Sequence, residues 1–186
     1  MVSDYCIIEH SAPLHGSVSL EGSKNALLPL MLSLILVSGK SRLNNVPALE
    51  DVDQIIALLR GLGVQVDFNK DEKVMTVDTS TISSHVVPLE IMKKTRASVL
   101  VMGPLLARFK RAEIAFPGGD AIGARPINFH INAFIRMGAE VVVAGDYISA
   151  RASTLRPQRF VLDYPSVGAT ENIIMASVLT DGVTEI

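Results

Sequence analysis

A chain of 186 residues that is 48% apolar and 19% charged can bury a proper core and does not have the composition of a disordered segment. Aromatic residues make up only 5%, tryptophan is absent, and a net charge of −2 comes with no dense Lys/Arg block, which argues against a nucleic-acid or anionic-membrane partner. The single cysteine, Cys6, excludes an internal disulfide, and four scattered histidines give no metal-ligand spacing, so neither metal nor cofactor is expected.

The first residues lack a basic start followed by an apolar run, so no secretory leader is expected. Residues 1–20 read as an N-terminal strand segment, and residues 21–186 as the body of an α/β domain. The most apolar stretch, residues 26–37, is too short to span a bilayer and contains Pro29, so a buried helix is expected there. Together these features describe a soluble, cytoplasmic protein.

A repeat runs through the chain. Apolar helices are predicted after Ser23-Lys24-Asn25, after Thr95-Arg96-Ala97-Ser98, and after Ser166-Val167-Gly168-Ala169. Lys24, Arg96 and Gly168 follow one another at intervals of 72 residues, as do Leu30, Met102 and Ile174. A second helix follows in each complete unit. Val52, Ile55, Ile56 and Leu59 form one apolar face, and Ile127, Ile131, Phe134 and Ile135 form the other. Both helices end in a glycine signal, Leu62-Gly63 and Met137-Gly138. Strand pairs are predicted next: Val64 to Phe68 with Val74 to Val77, then Glu140 to Val143 with Tyr147 to Ala150. The unit therefore reads β-α-β-α-β-β, with copies over about 15–87, 88–157 and 158–186. The third is incomplete, so the chain is expected to be a fragment or to be completed by another polypeptide.

The two complete units differ in one place. Gly63 stands 16 positions after Pro47 and Gly138 stands 21 after Pro117, so five extra residues fall in the loop from Pro117 to Pro126, PGGDAIGARP. Insertions in repeats tend to map to a binding face. Asp120 puts a carboxyl near the tip of a three-glycine loop, and Arg125 with Pro126 opens the next helix, where N–H groups and a guanidinium can serve one anion. Alternatively, Pro-Gly-Gly-Asp is a plain turn, and Lys24 and Asn25 are a solvated charge and a capping residue. If the repeated helix starts converge, Lys24, Arg96 and Arg125 line one anionic site.

At these residues the sequence resembles a known family. Glu21-Gly22-Ser23-Lys24-Asn25-Ala26, Thr95-Arg96-Ala97-Ser98, the loop from Pro117 to Pro126 with His130, and Ser166-Val167-Gly168-Ala169-Thr170 are similar to the UDP-N-acetylglucosamine enolpyruvyl transferases. The loop distinguishes them from 5-enolpyruvylshikimate-3-phosphate synthase, which shares the fold. The resemblance implies an inside-out α/β barrel domain and a second domain packing with residues 1–20. It also implies phosphoenolpyruvate and UDP-N-acetylglucosamine as substrates, with the enolpyruvyl group passing to the 3-hydroxyl and phosphate leaving, the first committed step of peptidoglycan synthesis.

Carried over by position, Lys24 contacts phosphoenolpyruvate and Asn25 lies beside it at the sugar. Arg96, Arg125, Pro126, Ile127, Asn128 and Phe129 hold the substrates, Arg125 mainly the phosphate. Tyr164, Pro165, Ser166 and Val167 hold the uridine nucleotide. Asp120 stands where most of the family has the cysteine proposed to protonate the methylene carbon, which implies fosfomycin resistance. Asn128 replaces a common aspartate, and Tyr164 stands where lysine is frequent. The second domain would supply the general base, so the chain alone is not expected to complete an active site. The alternatives are a transferase acting on shikimate 3-phosphate and a non-catalytic half that binds nucleotide sugar or a partner chain.

Overall fold

The structure, a computed structural model, describes residues 6–92, 96–116 and 127–186, with only the backbone of Arg96. The first unit comprises α1 (Lys24–Ser33), β1 (Lys40–Leu43), α2 (Glu50–Gly61), β2 (Gln65–Asn69) and β3 (Val74–Asp78). The second comprises α3 (Leu89–Met92), a 3₁₀ turn (Arg96–Val101), α4 (Met102–Phe109), β4 (Arg111–Ala115), α5 (Asn128–Arg136), β5 (Glu140–Ala144) and β6 (Tyr147–Arg151). The third contributes α6 (Val167–Ser177).

The two complete copies build the same antiparallel sheet, ordered β1-β3-β2 in one and β4-β6-β5 in the other. The alternating pattern turns Met75 and Val77, then Ile148 and Ala150, inward, where all four are fully buried. β5 lies at its sheet's edge with Val142 and Val143 about half exposed or more, at 60% and 49%.

The copies also end their second helices identically. Gly63 and Gly138 take φ of +91° and +96°. Gly63 N–H donates to the Arg60 carbonyl and Val64 N–H to the Leu59 carbonyl; Gly138 and Ala139 do the same to Ile135 and Phe134. This double bond pattern satisfies carbonyls that a helix end leaves open, and it needs a residue tolerant of positive φ.

Two expectations are corrected. The leading strand of each unit is almost lost: it is one parallel bridge in the second copy (Val86 to Glu113) and one in the third (Arg159 to Glu185). Residues 6–21 are exposed and form no strand, because a strand with no neighbour has no ladder to join. The apolar helix at 26–37 is buried on one side only. Leu27, Leu28, Met31, Leu32 and Ile35 are in the core, while Leu30 and Val37 are 53% and 61% exposed. Among the described residues, no helix is long and apolar enough to cross a membrane.

The first helices of the three units lie side by side. The turn Arg96–Val101 touches both α1 and α6, and α4 packs along α6. Their direction is shared. Arg108, at the end of α4, donates to the Ile35 and Val37 carbonyls just past α1 (2.9 and 3.3 Å), and Asn172 of α6 is level with Val99 and Gly103. The three helix beginnings therefore face one end of the molecule.

Candidate functional site

That end collects helix N-termini, where first-turn N–H groups point along the axis. Ser23 caps α1 by accepting from Ala26 N–H, and Ser166 caps α6 by accepting from Ala169 N–H, both at 3.4 Å. Each cap satisfies one of the amides that have no partner within the helix, and helix starts of this kind favour anions. Pro29 inside α1 has no N–H for the Asn25 carbonyl, so that carbonyl lacks its usual helical donor as well.

Lys24 is ion-paired with Asp51 in the first turn of α2, with Nζ 2.8 Å from Oδ2. The side chains are 49% and 34% exposed, so the pair orients the ammonium more than it stabilises the fold. Asn25 is exposed beside it. Asp51 was not singled out in the sequence. Its only signal there is an acidic residue in a helix's first turn, which the helix dipole alone would favour.

The second cluster joins two segments far apart in sequence. The Phe129 and Tyr164 rings meet edge to face, with centroids 4.9 Å apart and planes at 64°. Phe129 lies in the first turn of α5 and Tyr164 just before the Ser166 cap of α6. Ile127 is buried under this junction, while Asn128, Pro165 and Val167 are exposed on it. The structure thus brings Ile127, Asn128 and Phe129 together with Tyr164, Pro165, Ser166 and Val167. Asp120, Arg125, Pro126 and the side chain of Arg96 lie outside the described residues, so the three-cation arrangement remains an expectation.

Beneath the junction is a buried polar group. Asn172 is fully buried and His130 is 6% exposed. The Asn172 amide nitrogen lies 2.9 Å from His130 Nδ1 and donates to the Val99 carbonyl at 3.1 Å; the Asn172 carbonyl oxygen accepts from Gly103 N–H at 2.8 Å. One side chain therefore ties α6 to α5, to the 3₁₀ turn and to α4. The sequence carried an unused signal for it: Leu100 and Leu28 stand one and two repeat intervals before Asn172. Next to it, Glu171 is partly buried, and desolvation pushes its carboxyl above the usual range.

Residues 8–186 match the family described as EPSP synthase (3-phosphoshikimate 1-carboxyvinyltransferase). The chain is 47% identical over 97% of its length to a UDP-N-acetylglucosamine 1-carboxyvinyltransferase of Cellvibrio japonicus. It is 43% identical over 97% of its length to UDP-N-acetylglucosamine 1-carboxyvinyltransferase 1 of Caldanaerobacter subterraneus subsp. tengcongensis. It spans 43% of the length of each of these relatives. Among solved structures, the enolpyruvyl transferase NikO from Streptomyces tendae superposes with a TM-score of 0.77 at 20% identity, over 92% of this chain and 40% of that one. An EPSP synthase from Acinetobacter baumannii gives 0.72 at 17% identity, over 91% of this chain and 40% of that one. At these identities the two structures speak for the fold alone.

Proposed function

The chain belongs to the EPSP synthase (3-phosphoshikimate 1-carboxyvinyltransferase) family, and from that premise we propose that it supplies one half of the site of a UDP-N-acetylglucosamine 1-carboxyvinyltransferase. The observation that carries this reading is the 43–47% identity, across nearly the whole chain, to relatives of that name. Those relatives are named for the nucleotide-sugar acceptor, which favours it over shikimate 3-phosphate.

In this reading the 3-hydroxyl of UDP-N-acetylglucosamine adds to C2 of phosphoenolpyruvate while C3 takes a proton. Loss of a proton from C3 then expels phosphate and regenerates the double bond. Lys24, held by Asp51, meets the phosphoenolpyruvate anion at the start of α1, with Asn25 at the sugar. Ile127, Asn128, Phe129, Tyr164, Pro165, Ser166 and Val167 hold the uridine nucleotide, with the Phe129–Tyr164 pair as its aromatic wall. Arg96, Arg125 and Pro126 complete the phosphate side, and Asp120 delivers the proton to C3.

An unperturbed aspartate has a pKa of about 3.9, so Asp120 needs desolvation or a neighbouring substrate anion to keep its proton near neutrality. The remaining length found in the relatives would supply the general base, close the barrel and cover residues 6–21. The reaction belongs to cytoplasmic cell-wall precursor synthesis.

Calorimetry on the chain with each acceptor tests the reading. UDP-N-acetylglucosamine is expected to bind at least tenfold more tightly than shikimate 3-phosphate, and the reverse order would overturn the assignment. Turnover is expected only when the rest of the relatives' length is supplied; steady turnover by the chain alone would refute the half-site view.

A further inference from the structure

We propose that Asn172 is a positioning residue that holds His130 as the neutral imidazole with its proton on Nε2 and so locks the starts of α5 and α6 together. The pair occupies places where the chain's own repeat uses hydrocarbon. Leu28 and Leu100 stand one repeat apart at the positions that precede Asn172, and both are buried. With the second helices aligned on Gly63 and Gly138, His130 falls on Ile55, which is fully buried. The fold thus packs aliphatic groups at the counterparts of Asn172 in two copies and at the counterpart of His130 in one. Burying an amide and an imidazole instead gains less from leaving water and needs every polar atom matched.

The matching fixes the chemistry. Gly103 N–H can only donate, so the Asn172 oxygen faces it at 2.8 Å. The Val99 carbonyl can only accept, so the Asn172 NH2 faces that side, at 3.1 Å, and the same NH2 reaches His130 Nδ1 at 2.9 Å. Nδ1 must accept, which leaves the proton of the neutral ring on Nε2. The Cε1–Nε2 edge runs along the first turn of α6: a Cβ built on Gly168 would lie 3.7 Å from Cε1 and 4.0 Å from Nε2. Gly168 is the third-copy counterpart of Lys24 and Arg96, so this edge borders the convergent helix starts.

The two helix starts joined in this way carry Phe129 and Tyr164. The functional part of the proposal rests on the nucleotide-sugar reading above; the tautomer and the ring contact do not.

Nitrogen NMR on the native 186-residue chain, near neutral pH, reads the tautomer directly. His130 is expected to show an unprotonated Nδ1 and a protonated Nε2, and a protonated Nδ1 overturns the proposal. Asn172→Asp offers Nδ1 an acceptor and is expected to move a proton onto it; an unchanged nitrogen spectrum counts against the coupling. The double variant Asn172→Leu/His130→Ile returns both positions to the repeat's own residue types. It is expected to lose the ring-to-ring contact of Phe129 and Tyr164, seen as a nuclear Overhauser effect, and to bind UDP-N-acetylglucosamine at least tenfold more weakly. A folded double variant that keeps both overturns the proposal. Should that variant not fold, the native spectrum and Asn172→Asp decide. Should the native chain not bind the nucleotide sugar, the functional reading fails, while the tautomer and the ring contact still test the positioning role.

Discussion

Phe129 and Tyr164 stand edge to face across 35 residues of chain, and their contact marks where the starts of α5 and α6 become one surface. Tyr164 is 56% exposed, so it adds little to the core and keeps its ring at the surface. Tyr164→Ala is expected to leave the melting temperature nearly unchanged and to weaken UDP-N-acetylglucosamine binding roughly tenfold, in line with about 1–3 kcal/mol for an aromatic wall against a base. Tyr164→Phe keeps the ring and should keep the affinity. Calorimetry on the two variants checks this, and equal losses would mean that the hydroxyl matters.

Gly103 is where α4 and α6 come closest. A Cβ there would lie 2.4 Å from the Asn172 side-chain oxygen and 2.5 Å from the Asn172 backbone oxygen. Neither oxygen can swing aside freely, one being main chain and the other tied to Gly103 itself. Gly103→Ala should destabilise the fold by about 1–3 kcal/mol, the usual range for overpacking. Urea unfolding measures it, and a variant as stable as the native would show that the helices can separate at little expense.

Glu171 gives a pH signature. Desolvation raises its carboxyl in the folded state, so the proton is held more tightly folded than unfolded. Its contribution to stability is therefore full below the ordinary glutamate range and is lost as pH rises through the folded value. Glu171→Gln removes that loss. The variant should match the native near pH 4, within about half a unit of the ordinary glutamate value, and exceed it near neutrality. Thermal melts at the two pH values decide; a gain confined to the acid side would reverse the sign.

On the proposed function, Asp120 would set the inhibitor chemistry of the completed enzyme. A carboxylate is a poorer nucleophile than a thiolate toward the fosfomycin epoxide. The native enzyme should keep its activity on incubation with the drug, and Asp120→Cys should lose it over time with a covalent adduct by mass spectrometry. An adduct on Asp120 itself would refute the expectation.

How far these features could be read in advance depended on how local their causes are. The helix ending at Gly63, the one ending at Gly138 and the two hairpins were legible because apolar period, positive-φ glycine and turn residues lie within a few positions of one another. The leading strands were misjudged because a bridge such as Val86 to Glu113 depends on a partner 27 residues away, which no local pattern announces. The Lys24–Asp51 pair was hidden for the same reason. Lys24, Ser166 and Tyr164 were found as site candidates through resemblance and repeat spacing. Asn172 was not legible from recurrence, because its signal lies in its difference from Leu28 and Leu100.

The edge position of β5 has a consequence for handling the protein. Among the described residues, Val142 and Val143 present an apolar strand whose outer hydrogen-bonding groups have no sheet neighbour, with Glu140 as the strand's one charge. Such an edge invites pairing with another copy. Concentrated stocks should lose material first through strand addition at this site, and a lysine in place of Val142 is the substitution that would keep them clear.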